Sequence, residues 1–133
     1  MDRLRAAADC VGSWCERNGV DAADALRITL VVEELFTNIV QHGYRGSGNG
    51  TVRLALALDG HAVLLVCEDD APAFDPRPTL MRVPGDPDEP VETRSVGGLG
   101  HLLVGRLAEV VGYARVNGAN RLSLRFRRGP ARP

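Results

Sequence analysis

The sequence contains no lysine: all 16 of its basic residues are arginine. That excludes a Walker A phosphate loop, whose lysine reaches the phosphates, and any Schiff-base or lysine general-base chemistry. No apolar run approaches the length of a membrane span, and the opening MDRLRAAADC lacks the apolar core of a signal peptide. A cytoplasmic protein without membrane association is expected. Net charge is also small. Sixteen basic residues against 17 acidic ones leave -1 at pH 7, which gives no long-range attraction to nucleic acid or an anionic membrane. Cysteine is scarce and odd in number. Cys10, Cys15 and Cys67 have no paired CxxC spacing and make no zinc signature with His42, His61 and His101. They are expected as buried or partly buried thiols. Aromatic residues are only 5% of the chain. Arg121, Arg125, Arg127 and Arg128 interleave with Leu122, Leu124 and Phe126 as a strand with a solvated face, and no stacking platform for single-stranded nucleic acid accompanies them.

What is present suits one domain: 133 residues, 44% hydrophobic and 25% charged. We take it as residues 1–128, with a disordered tail at 129–133. Leu4, Ala8, Val11 and Cys15 keep helical spacing, and Asn18-Gly19 stops that helix at about residue 17. Asp21 is placed to cap a second helix running to about His42. Its apolar stripe is Ile28, Val32, Leu35 and Ile39, widened by Leu30 and Val31. Val52, Leu54, Leu56 and Leu58 alternate as in a strand, Asp59-Gly60 offers a tight turn, and the returning strand runs from Ala62 to about Asp69. Residues 71–96 hold six of the eight prolines and read as a long loop, functional or mobile by its length. Gly97-Gly-Leu-Gly100 then opens a third helix carrying Leu99, Leu103, Leu107 and Val110. Strands near 112–116 and 121–127 follow, joined across Asn117-Gly118. Hairpins rather than crossover helices join the strands. The expected fold is therefore α+β, a two-layer sandwich of mostly antiparallel sheet with helices on one face.

Three polar clusters sit on or beside these apolar elements. Glu34 and Asn38 stack one turn apart on a flank of the second helix. Asn offers the hard oxygen that Mg²⁺ prefers, and a Glu one turn away could accept a proton from a hydroxyl or water. An ordinary polar helix flank explains the pair as well. Glu68-Asp69-Asp70 through Phe74-Asp75-Pro76 lies where a strand ends and the long loop begins. A carboxylate there could accept a hydrogen bond from an exocyclic amine and so select adenine over guanine, or simply belong to a solvated turn. Gly97–Gly100 opens a helix, where backbone amides can approach phosphate and the helix end adds positive potential. It is not GxGxxG, and no preceding strand gives it a dinucleotide-binding context.

In this order and context the three clusters resemble those of one family, the GHKL (Bergerat) ATP-binding fold, and within it the anti-sigma factor serine/threonine kinases. Glu34-Leu-Phe-Thr-Asn38 is similar to the N box, Asp69-Asp-Ala-Pro-Ala-Phe-Asp75-Pro76 to the first glycine box, and Gly97-Gly-Leu-Gly100 to the second. The likeness runs from about residue 3 to 127. It implies Glu34 as general base, Asn38 as Mg²⁺ ligand and Asp69 as partner of the adenine amine. Ala71 and Phe74 would flank the nucleotide, Gly97, Gly98, Leu99 and Gly100 would lie against the phosphates, and 75–96 would be the ATP lid. Thr37 and His42 would support the site. It implies ATP and Mg²⁺ as cofactors, a sigma factor or similar regulator and its antagonist as partners, and a homodimer as a candidate assembly. The alternative is a nucleotide-gated binding module without phosphotransfer. Three positions depart from the family pattern. Ala71 replaces a usual glycine and should narrow the pocket slightly. Val96 stands where the kinases carry an arginine, with Arg94 the nearest candidate. The chain also enters its first helix without the family's leading strand.

Overall fold

The computed structural model describes residues 2–44, 50–80 and 104–129. Helix α1 (Asp2–Arg17) is followed by α2 (Ala22–Asn38), which continues through a π-helical turn at Ile39–Gly43. Strands β1 (Val52–Asp59) and β2 (Ala62–Asp69) form a hairpin. A short helix α3 (Arg77–Leu80) and helical residues 104–107 precede the second hairpin, β3 (Glu109–Val116) and β4 (Ala119–Arg127). Every strand pairing is antiparallel, in the order β1-β2-β4-β3. This is the expected α+β architecture. No described helix is long and apolar enough to cross a membrane.

The turns follow from local chemistry. Asn117 and Gly118 adopt φ of 50° and 78°, the positive pair that a two-residue hairpin between right-twisted strands requires. In the other hairpin Asp59 stays in β1, paired with Ala62, and only Gly60, at φ 59°, is left-handed.

β2 and β4 are the central strands, and alternation sorts their side chains by face. Val63 pairs with Phe126, Leu65 with Leu124 and Cys67 with Leu122, and all six are buried. With Ile28, Val31, Val32 and Leu35 of α2, and Val11 and Cys15 of α1, they make one apolar cluster, closed by Leu80, Val104 and Ala108. Each large side chain removed from water there contributes roughly 1.5–3 kcal/mol. The other face carries charge. Glu68 lies 4.0 Å from Arg53 and 3.5 Å from Arg121, Arg125 reaches Asp59 at 3.2 Å, and Arg127 reaches Glu109 at 3.7 Å. Solvated pairs of this kind are worth about 0–1 kcal/mol each, so the apolar face holds the fold and the charged face keeps it oriented.

Several expectations need correction. Leu30 does not widen the stripe of α2; it is 36% exposed, because two residues from Ile28 is about 200° around a helix. Cys10 is exposed, while Cys15 and Cys67 are buried. Asp21 makes no side-chain cap, and its carbonyl accepts the Ala25 N–H at 2.8 Å. Val110 belongs to β3, opposite Leu124, not to a helix, because pairing with β4 overrides its helical spacing. A register shift between Val110 and Gly112 leaves Val111 52% exposed. The proline-rich stretch is helical at 77–80. Gly129, assigned from sequence to a loose tail, donates to both oxygens of buried Asp24 at 3.2 Å, and residues 130–133 lie outside the described set.

Candidate functional site

The inward row of the central strands turns from apolar to polar at one end. Beyond Cys67 and Leu122 the next cross-strand pair is Asp69 and Asn120, with 8% and 6% of their surface exposed. Asn38 and His42 flank the same end, from the close of α2 and its π-helical turn. Between these elements lies a cavity of about 530 Å³, whose wall also includes Leu35, Cys67, Phe74 and Tyr113. Its size and mainly apolar wall suit a small organic ligand fixed by few polar groups.

Asp69 is the best-held of those groups. Its Oδ1 accepts the Ala71 N–H at 3.0 Å and the Asn120 carboxamide at 2.9 Å. Its Oδ2 takes no hydrogen bond from any described residue, leaving an acceptor for a ligand donor. Cys67, two residues earlier, is a wall and not a nucleophile: burial, reinforced by the charges of Asp69 and Glu68, pushes its thiol up to about 12. It stays protonated at neutral pH.

Ala71 is buried and lines the cavity, and its methyl meets the π-helical turn. A Cβ placed on Gly43 would stand 2.9 Å from the Ala71 Cβ, closer than carbon atoms pack. The methyl at 71 therefore fits because residue 43 has none. Gly43→Ala should push the turn off β2, destabilise the protein by about 1–3 kcal/mol and weaken ligand binding. Ala71→Gly in the same chain should restore most of both, as thermal melts and calorimetry of the four-member cycle can establish. Additive losses would mean that the two positions do not share this contact.

The helix side is less complete. Asn38 lines the cavity, and its Nδ2 is buried without a partner among the described residues. An uncompensated buried amide costs about 1–3 kcal/mol, a penalty that a ligand or its water would relieve. Among the described residues no three His, Cys, Asp or Glu side chains gather to hold a metal. A divalent ion here would rely on the Asn38 oxygen together with ligand phosphate and water, the coordination Mg²⁺ favours. Glu34 is half-buried one turn before Asn38 and does not line the cavity, nor does Thr37. Phe74, 59% exposed, stands at the rim. Gly97, Gly98, Leu99, Gly100 and Arg94 lie outside the described residues, as does the stretch 81–96 of the expected lid.

Sequence reasoning missed Asn120, Tyr113 and Arg115. The Arg115 guanidinium donates to the Ala71 carbonyl at 2.7 Å and ties β3 to the segment after β2. It also missed Tyr44, whose hydroxyl accepts the Asp70 N–H and donates to the Thr51 carbonyl, both at 2.7 Å, tying the turn after α2 to β1 and β2. A polar residue just after a hairpin gives no local sign of its partner across the sheet.

Residues 1–126 match the family model of the histidine kinase-like ATPase domain. The chain belongs to this family. It is thereby a domain of the GHKL ATP-binding type, and the cavity brings together Asn38, Asp69, Ala71 and Phe74 from the two segments that the sequence likens to an N box and a first glycine box. Curated relatives include the anti-sigma F factor of Bacillus licheniformis, 35% identical, with 41% of this chain and 45% of the relative aligned. A second sequence of that factor, from a named strain of the species, gives the same figures. The chain thus spans just under half the length of the curated relatives it matches. Among solved structures, the histidine kinase domain of a blue-light activated histidine kinase from Erythrobacter litoralis aligns at TM-score 0.52 and 23% identity. That alignment covers 93% of this chain and 58% of the other, a likeness of fold.

Proposed function

We propose that the cavity binds ATP with its adenine against Asp69, and that the protein is a cytoplasmic anti-sigma regulatory factor that phosphorylates a serine or threonine of its antagonist. The observation that carries the reading is the half-engaged Asp69 carboxylate: Oδ1 is committed to Ala71 and Asn120, while Oδ2 is left to accept from a donor. The adenine 6-amine is such a donor. Guanine presents a carbonyl at that position, which two negative oxygens would repel. The apolar wall of Leu35, Ile39 and Leu122 gives the base a dry slot. The likeness to the anti-sigma F factor supports a sigma factor or similar regulator as the bound partner, and an antagonist protein as the phosphate acceptor.

In this reading the acceptor hydroxyl attacks the γ-phosphorus, a new oxygen–phosphorus bond forms, and the bond to the β,γ-bridging oxygen breaks so that ADP departs with the electron pair. Glu34 takes the hydroxyl proton. Asn38 would hold Mg²⁺, whose charge offsets that on the phosphates. Positioning and electrostatics supply most of the acceleration in such transfers, so one carboxylate and few other groups suffice. The second reading, a nucleotide-gated binding module without phosphotransfer, is favoured by one observation: Glu34 does not line the cavity.

Calorimetry with Mg²⁺ should give ATP binding at least about tenfold tighter than GTP, the worth of one well-placed hydrogen bond to a charged group. Equal affinities would defeat the adenine assignment. Labelled ATP incubated with candidate antagonist proteins then separates the two readings. Label on a serine or threonine supports the kinase, whereas ATP-dependent partner affinity without label supports the module.

A further inference from the structure

Asn120 lies at the bottom of the cavity and looks at first like a second reader of the ligand. Its hydrogen bonds say otherwise. The Nδ2 group donates to Asp69 Oδ1 at 2.9 Å, to the Pro72 carbonyl at 3.1 Å and, more weakly, to the Ala71 carbonyl at 3.3 Å. The Oδ1 atom accepts the Phe74 N–H at 3.1 Å and the Tyr113 hydroxyl. A carboxamide has two donor hydrogens and two lone pairs, so all its capacity is spent within the protein. Tyr113 is held in turn, its ring lying 5.8 Å beneath the Arg77 guanidinium, which is itself ion-paired with Asp75 at 2.7 Å.

We infer, building on the ATP reading above, that Asn120 is a positioning residue for base selection: it clamps Asp69, the Phe74 N–H fixes which way the clamp faces, and the Tyr113 hydroxyl steadies it. The orientation of an amide is two-fold ambiguous, and turning it over would set its oxygen against the Asp69 carboxylate. The Phe74 N–H, which can only donate, and the Ala71 and Pro72 carbonyls, which can only accept, forbid that flip, and the Tyr113 hydroxyl adds a second hydrogen bond to Oδ1. Asp69 is thereby kept with one oxygen engaged and the other presented to the base. Without the clamp the carboxylate can rotate, and either oxygen can turn away from the ligand to satisfy Ala71 N–H. The consequence falls on the base, not on the phosphates. ATP should suffer, while a nucleotide with no 6-amine should be nearly indifferent.

The test compares ATP with ITP, which carries a carbonyl in place of the 6-amine, by calorimetry on wild type, Asn120→Ala and Tyr113→Phe, with thermal melts to verify folding. Wild type should prefer ATP. Asn120→Ala should lose about tenfold or more in ATP affinity with little change for ITP, so that the preference shrinks toward one. Tyr113→Phe keeps the ring and removes only the hydroxyl. It should lower the preference by a smaller factor, and it decides the matter if Asn120→Ala does not fold. A general packing role would weaken both nucleotides alike. Equal losses for ATP and ITP, or a preference unchanged in folded variants of a discriminating wild type, overturn the clamp while leaving the ATP reading intact. A wild type that takes ATP and ITP equally overturns the adenine assignment and the clamp together.

Discussion

Glu34→Gln should lower phosphate transfer to the antagonist by about 10²–10⁴, the usual worth of a general base, while ATP affinity changes by no more than a few-fold. The argument rests on geometry and on what the substitution leaves alone. Glu34 is one helical turn from Asn38, on the same flank of α2, and outside the wall of the cavity. It should therefore not sense the adenine. Glutamine keeps the shape and polarity of the side chain and removes only its ability to take a proton. Asn38→Ala is the contrasting variant. Asn38 lines the cavity, so its loss should weaken Mg²⁺-dependent nucleotide binding itself and lower transfer through occupancy. Single-turnover transfer at saturating ATP, measured beside calorimetry, separates the two patterns. Full transfer by Glu34→Gln would place the base elsewhere.

The second large effect belongs to Asp69→Asn, which should weaken ATP by about 10–150-fold and reverse part of the preference over GTP. The substituted amide has one oxygen and one NH₂. Two donors, the Ala71 N–H and the Asn120 Nδ2, already meet the inner position, which must therefore take the oxygen. The NH₂ is left on the cavity side, where it opposes the adenine amine donor to donor. The guanine carbonyl, by contrast, could accept from it. Competition of ATP and GTP for the variant, followed by calorimetry, would show the crossover, and unchanged ATP affinity would remove Asp69 from the site.

Much of the fold was legible because its signals are local. The period-two alternation of 52–58 and 62–69, the Asn117-Gly118 turn and the Asn18-Gly19 stop each act within a few residues, and β1, β2 and the end of α1 stand within a residue of where the pattern put them, whereas β3 begins at Glu109, three residues before the expected strand. The runs Glu34–Asn38 and Asp69–Pro76, likened to an N box and a first glycine box, stood out for the same reason. They are short runs whose order along the chain carries the likeness, and the fold brings Asn38, Asp69, Ala71 and Phe74 to one cavity.

What the sequence could not determine are the relations across long separations. Asn120 meets Asp69 across 51 positions because β4 lies beside β2 in one register, and a slip of one residue would turn Asn120 to the charged face. Val110 keeps helical spacing with Leu103 and Leu107 yet joins the sheet, since pairing with Leu124 outweighs a local preference. Leu30 lies about 200° around α2 from Ile28, and the docking of the Ile28 side on the sheet leaves Leu30 36% exposed. The methyl of Ala71, read from sequence as a small obstruction, fits because the turn after α2 brings a glycine to it. Periodicity and motif order thus specify which elements form and which residues are candidates for the chemistry. Strand register and the docking of α2 decide which of those residues meet, because hydrogen bonds and close contacts depend on distance in space and not along the chain.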